Sequence, residues 1–100
     1  MKIKDWELEV GEIILYTGKS IETIKLTPLE YKAFKYYKDC ELHTWSEGIR
    51  NLYRERRDTK KNRNNLKEII HRTNLKIKPI GRIENRAGFG HKFIAEIGEK

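Results

Sequence analysis

A chain of 100 residues has room for one modest core and excludes a catalytic domain joined to a separate cofactor domain. Hydrophobic and charged residues each make up 37%, polar for so short a chain, yet isoleucine and aromatics recur too often for a disordered segment. The net charge of +7 is segregated: residues 1–49 carry 7 Lys/Arg against 9 Asp/Glu, a net of −2, and residues 50–100 carry 15 against 6, a net of +9.

The opening MKIKDWELEV lacks the continuous apolar segment of a signal peptide, and no run approaches the roughly 20 apolar residues that cross a bilayer. A cytoplasmic protein without membrane contact is therefore expected. From about residue 4 to 26, alternation in WELEV and IETIKL and the β-rich EIILY predict three short strands, broken at Gly11 and around TGKS, in a small antiparallel sheet. GKS at 18–20 mimics the end of a phosphate-binding loop, but position 13 is Ile where that motif needs glycine, so a hairpin turn is expected there.

At Leu26 the period changes. LTPLEYKAFKYYKDC offers Thr27 as N-cap, Pro28 at the first helical position and Glu30 three residues after the cap, a capping box with a staple from Leu26 to Tyr31. The first helix is expected over about 27–40, with Leu29, Ala33, Phe34 and Tyr37 on its core face. Cys40 is the only cysteine, which excludes an internal disulfide and a cysteine-built zinc site and fits a cytoplasmic location. It reads as a buried or half-buried small hydrophobe. In HTWSEGIRNLY, Thr44 and Glu47 repeat the capping signal, and Trp45, Ile49, Leu52 and Tyr53 recur at helical intervals, predicting a second helix over about 44–54.

The charged RERRD ends that helix, and Asp58 or Thr59 caps a third over about 59–74. On a wheel at about 100° per residue, Leu66, Ile69, Ile70 and Thr73 share one side. Asn64, Glu68 and His71 lie opposite, flanked by Lys60, Lys61 and Lys67, with Arg63 and Arg72 at the edges. From about 75 to 97, LKIKPIGRIEN, RAGFG and HKFIAEI read as a hairpin with Gly88 and Gly90 supplying the turn. Pro79 cannot donate to a ladder and belongs at an edge or before the hairpin. Lys76, Lys78, Arg82, Arg86 and Lys92 decorate this ribbon. Neither a linker nor an internal repeat interrupts the chain, so 1–100 is read as one domain.

Enzymatic chemistry finds little support. His43, His71 and His91 each stand alone, without an acidic or thiol neighbour at ligand spacing, and read as surface or half-buried structural residues. GFG is too little for a nucleotide loop. No enzyme activity, cofactor or metal is expected. The order of elements says more: a sheet, two capped helices, a basic helix with an amide-rich face and a basic hairpin. A helix fits the major groove, where base edges carry a distinguishable donor and acceptor pattern, and a glycine-tipped ribbon beside it reaches minor groove or backbone. The expected fold is α+β, a winged helix-turn-helix with an N-terminal antiparallel sheet, three helices and a C-terminal β-hairpin wing.

LTPLEYKAF after an N-terminal sheet, the basic third helix with Leu66, Ile69 and Ile70, and IENRAGFGHKF near the end resemble the OmpR/PhoB-type winged-helix effector domains of bacterial response regulators. Leu26, Thr27, Glu30, Ile83, Gly88 and Gly90 occupy places matching that family's helix-opening and wing patterns. The likeness implies sequence-specific binding of double-stranded DNA and transcription regulation, cytoplasmic and nucleoid-associated when bound. Helix 59–74 would enter the major groove, and the wing, 82–92, would lie on backbone or minor groove. Asn64, Glu68 and His71 are the candidates for base contacts; Lys60, Lys61, Arg63, Lys67, Arg72, Arg82, Arg86 and Lys92 are the candidates for the DNA backbone. By the same relation, the loop with Arg54, Arg56 and Arg57 is where RNA polymerase or a second protomer in tandem on DNA would be met.

The sequence departs from the pattern at three places. Ala87 stands where the family's wing usually has arginine, His91 replaces a tyrosine, and Thr73 and Asn74 replace the common end of the third helix. Two other readings compete. A basic RNA- or ribosome-binding module wants stacking aromatics on an exposed sheet, and the basic half offers only Tyr53, Phe89 and Phe93. A winged-helix protein-interaction scaffold wants an occluded or acidic third helix, against which the lysines speak.

Overall fold

The computed structural model describes residues 2–54 and 56–100; Met1 and Glu55, the latter inside the expected loop after the second helix, lie outside it. DWELE, EIILY and IETIK form the strands β1 (Asp5–Glu9), β2 (Glu12–Tyr16) and β3 (Ile21–Lys25), antiparallel in the order β1-β2-β3. Trp6 faces Leu15 and Leu8 faces Ile13 across the first pair, so one set of alternating side chains turns inward, and Trp6, Ile13 and Leu15 are buried. GKS belongs to the β2–β3 turn, closed by Thr17 N–H donating to the Ser20 carbonyl at 3.2 Å.

Helix α1 (Pro28–Tyr37) starts as the sequence requires: Thr27 Oγ1 accepts from the Glu30 N–H, and the Glu30 carboxylate accepts from the Thr27 N–H at 2.8 Å. It ends at Lys38, earlier than expected, because Cys40 takes a left-handed conformation at φ 64° and donates its N–H to the Tyr37 carbonyl. Cys40 is thereby turned out of the core and is exposed, a correction to its reading as a buried hydrophobe. Helix α2 (Trp45–Leu52) repeats the capping box through Thr44 and Glu47. Gly48 lets it pack close: a Cβ there would lie 2.3 Å from the Tyr37 hydroxyl and 2.9 Å from Leu66.

Helix α3 (Lys60–Ile77), capped by Thr59, runs one turn further than the expected end at 74. LKIK alternates as a strand would, but Ile77 continues the buried stripe of Ile70 and Thr73 while Leu75 stays exposed, which is helical and not strand-like placement. Lys78, Pro79 and Ile80 form the turn that follows, with Ile80 N–H bonded to the Ile77 carbonyl. The hairpin is therefore confined to β5 (Gly81–Arg86) and β6 (Gly90–Ala95). Its sheet carries a third strand that the sequence did not announce, the two-residue β4 (His43–Thr44) on the outer side of β6, giving the order β4-β6-β5. Gly90 makes this possible, since a Cβ there would meet the His43 carbonyl oxygen at 1.9 Å. Gly90 thus serves sheet packing rather than the turn itself.

The two sheets meet over α1. Trp6 of β1, Phe34 of α1 and Phe93 of β6 form a buried triad with centroids 5.3 to 6.3 Å apart, in tilted and edge-on pairs. The Trp6 indole N–H donates to the Ile97 carbonyl, and Lys100 N–H donates to the Trp6 carbonyl, so the end of the chain is tied back to β1.

An ion pair between a buried carboxylate and a half-buried lysine links α1 to α3. Lys76 Nζ lies 2.6 Å from Glu30 Oε1, which removes Lys76 from the ribbon where the sequence had placed it. Burial pushes the Glu30 carboxyl up, but the Lys76 ammonium and the Thr27 backbone N–H outweigh it and hold the group below its ordinary value of 4.5. Lys76→Met leaves the carboxylate buried without its cation and is expected to cost about 3 kcal/mol in urea denaturation, at the low end for a buried pair because Lys76 itself is half-buried. Lys25→Met, which breaks an exposed pair with Glu12, should cost under about 1 kcal/mol in the same titration.

Candidate functional site

Because Leu66, Ile69, Ile70, Thr73 and Ile77 are buried against the other helices, the opposite side of α3 is forced outward. Lys60, Lys61, Asn64, Lys67, Glu68 and His71 are all exposed on that side. Asn64, Glu68 and His71 follow one another at four and three residues, a single stripe along the helix. The structure therefore brings together on one face the residues picked out from the sequence for base contact, with the lysines beside them.

The arginines at the edges are engaged. Arg63 forks onto the Asp58 carboxylate at 2.5 and 2.8 Å and lies 4.7 Å over the Trp45 ring. Its hydrogen bonds hold the Asp58 carboxyl below the ordinary carboxylate range. Arg72 bonds Glu68 one turn earlier at 2.7 Å, so that this stripe carboxylate enters the face already paired. In the hairpin, Arg82 lies between Glu84 and Glu96 at 3.3 to 3.5 Å and Arg86 is 3.7 Å from Glu84. Among the described residues Lys60, Lys61, Lys67 and Lys92 have no ion-pair partner, and Lys67 lies 5.8 Å over the Trp45 ring. Arg54, Arg56 and Arg57 are exposed in the segment before α3, with the Arg56 guanidinium 5.2 Å over the Tyr53 ring.

Four residues that position this face were missed in the sequence. Asn62, buried in the first turn of α3, donates to the Arg57 carbonyl at 2.8 Å and fixes the approach of the loop. Trp45 gives Arg63 and Lys67 a common aromatic platform across the α2–α3 gap. Asn74 clamps the hairpin to the helix: its Nδ2 donates to the Ile83 carbonyl at 2.9 Å, and its Oδ1 accepts from the Ile83 N–H at 2.7 Å. A carboxamide offering donor and acceptor side by side imitates a strand neighbour for β5. Helical spacing marks none of these jobs; a polar residue on the border of an apolar stripe, as Asn62 and Asn74 are, is the one available signal.

The fourth is His91. It is 3% exposed, where the sequence suggested a surface or half-buried place, and its ring stands edge-on to Trp45 at 4.6 Å, near Tyr37. Burial first, and the nearby Lys67 second, push its pKa down from 6.5 to about 4. His43 also differs from expectation, for it has an acidic neighbour: Asp39, four residues earlier in the turn after α1, contacts its Nε2 at 2.9 Å, and the ring packs on Tyr36. No group of three or more metal-ligating side chains occurs among the described residues, and no described helix is long and apolar enough to cross a membrane.

With this geometry in place, the chain superposes on the crystal structure of the DNA-binding domain of the response regulator AdeR in complex with an intercistronic region. The TM-score is 0.68 over 90% of this chain and 94% of that one, at 14% sequence identity. The fold is a winged helix. No family model matches the sequence, and no curated protein is significantly similar to it. In winged-helix terms, α2 and α3 are the helix-turn-helix pair, and β5 and β6 are the wing, held to α3 by Asn74.

Two outcomes test this architecture. Asn74→Ala strands the Ile83 N–H and carbonyl, and should destabilise the domain by about 1–3 kcal/mol in urea, with faster amide exchange in β5 than in β2. For His91 the folded pKa lies below the unfolded one, so its stabilising effect is complete above pH 6.5 and lost as the pH falls toward about 4. Denaturation at stepped pH should show up to roughly 3 kcal/mol disappearing across that window, and His91→Phe should remove that part of the slope.

Proposed function

We propose that the protein is a sequence-specific double-stranded DNA-binding transcription regulator. Helix α3 lies in the major groove, and the wing, 82–92, lies on backbone or minor groove. The observation that carries this reading is the exposed face of α3, where Asn64, Glu68 and His71 stand in line between lysines that have no ion-pair partner among the described residues, on a fold otherwise seen in a DNA-bound domain. Lys60, Lys61, Lys67 and Lys92 supply phosphate contacts, and Arg63, Arg72, Arg82 and Arg86 join them by sharing or exchanging their carboxylate partners. Asn64 offers a donor and acceptor pair suited to adenine, and Glu68 an acceptor for cytosine. Such a protein works in the cytoplasm on the nucleoid. Arg54, Arg56 and Arg57 then face RNA polymerase or a tandem protomer.

Anisotropy titration against duplexes selected from a random pool tests the proposal. With four to six phosphates neutralised, the log of affinity should fall against log salt with a slope of roughly −4 to −5. Lys60→Ala, Lys61→Ala and Lys67→Ala should each lower that slope by about 1 with base preference intact, whereas Asn64→Ala should relax preference at one position by about 1–3 kcal/mol. Absence of binding to any duplex at low salt overturns the reading. For the loop, charge reversal of Arg56 and Arg57 should abolish capture of RNA polymerase and leave duplex affinity unchanged; unchanged capture rejects that partner.

A further inference from the structure

The wing tip is apolar although both of its strands are basic. Arg86, Ala87, Gly88 and Phe89 make a tight turn, closed by the Phe89 N–H donating to the Arg86 carbonyl at 2.8 Å. Ala87 and Gly88 both take positive φ, 36° and 85°. The first of these is a conformation that alanine rarely adopts and that glycine or asparagine would hold with less strain. The tip nonetheless displays a methyl group there. Next to it Phe89 is 71% exposed, the only aromatic among the exposed large hydrophobic residues of the described chain. Arg86 and Lys92 flank it, and Arg82 lies further down the same ribbon.

We propose that Phe89 is an apolar minor-groove contact that wedges against a base step and makes binding depend on how readily that step deforms. The inference rests on the DNA-binding reading above and adds to it a residue whose role is in shape discrimination. A lone exposed phenylalanine is ordinary on a protein surface. Three features set this one apart: its place at the narrow end of a hairpin, the strained neighbour that keeps the tip free of polar groups, and the cationic flanks. A turn whose last three residues, Ala87 to Phe89, carry only one methyl and one ring suits a groove about 6 Å wide, where apolar residues contact sugars and part stacked bases. Arg86 and Lys92 can meanwhile reach the phosphates on either rim. The clamp of Asn74 on Ile83 fixes the ribbon to α3, so seating the helix in one groove carries the tip to a set distance from it. The groove rim attracts the flanks whatever the sequence, but the ring gains a seat only where a base step opens. Pyrimidine–purine steps open most easily, and A-tracts resist.

Two duplexes of equal length, charge and composition separate the cases: alternating d(A-T), with TA steps throughout, and d(A)·d(T), a stiff A-tract. Affinity of the full chain for each is read by anisotropy. The ratio favouring the alternating duplex should fall about five- to tenfold in Phe89→Ala. The salt slope should be unchanged and the circular dichroism spectrum native, since Phe89 is exposed. Phe89→Trp, which keeps a ring at the tip, should retain the ratio. If Phe89→Ala leaves the ratio as in the parent chain while both duplexes are bound, the wedge is overturned and the DNA-binding reading stands. If the parent chain binds neither duplex at low salt, both are overturned together.

Discussion

Glu30 is 3% exposed, and a carboxylate so deeply placed requires its lone pairs to be answered from within the protein. They are answered from two directions. The Thr27 N–H closes the first turn of α1, and the Lys76 ammonium arrives from the last turn of α3, so one oxygen fixes both where α1 begins and where α3 ends. With that end anchored and Trp45 covering the opening turns through Arg63 and Lys67, α3 has little freedom to roll about its axis. Its basic side is aimed by contacts made on other elements.

The wing follows from the same anchoring. Asn74 stands two residues before Lys76 and bonds both backbone groups of Ile83, so the helix that carries the amide stripe also sets the position of β5. On the far side of the ribbon, β6 is secured by β4, through the close approach of Gly90 to His43, and by His91 packed against Trp45. The helix-turn-helix pair and the wing thus share residues at their joints, and a change in one is felt by the other. Keeping His91 neutral is part of this arrangement, because an imidazolium there would be buried edge-on to Trp45 and repelled by the nearby Lys67.

Much of the fold was legible. Both capping boxes, the three N-terminal strands, the apolar stripe of α3 and the glycine-bearing hairpin each rest on neighbours within four residues, and such local chemistry reads directly from the chain. The exposed stripe of Asn64, Glu68 and His71 was legible for the same reason, since helical period alone puts it opposite Leu66 and Ile70. Errors came mostly where distant residues decide, and once, at Cys40, from a left-handed turn that periodicity does not mark. Lys76 looks like strand decoration until Glu30 is beside it, 46 positions away in the chain. His91 looks like a surface residue until Trp45 and Tyr37 close over it. Cys40 looks apolar enough to bury until the left-handed end of α1 turns it outward.

The division has a physical basis. Period, capping and turn chemistry act over one helical turn or one strand pair, so the amino-acid order by itself determined the element types, their approximate limits and the charge that α3 exposes. Which polar side chains join helix to wing, and where the third helix stops, depend on groups brought together by packing. Those were decided only by the tertiary structure, because the partners of Asn74 and Lys76, Ile83 and Glu30, lie beyond the reach of any local periodicity.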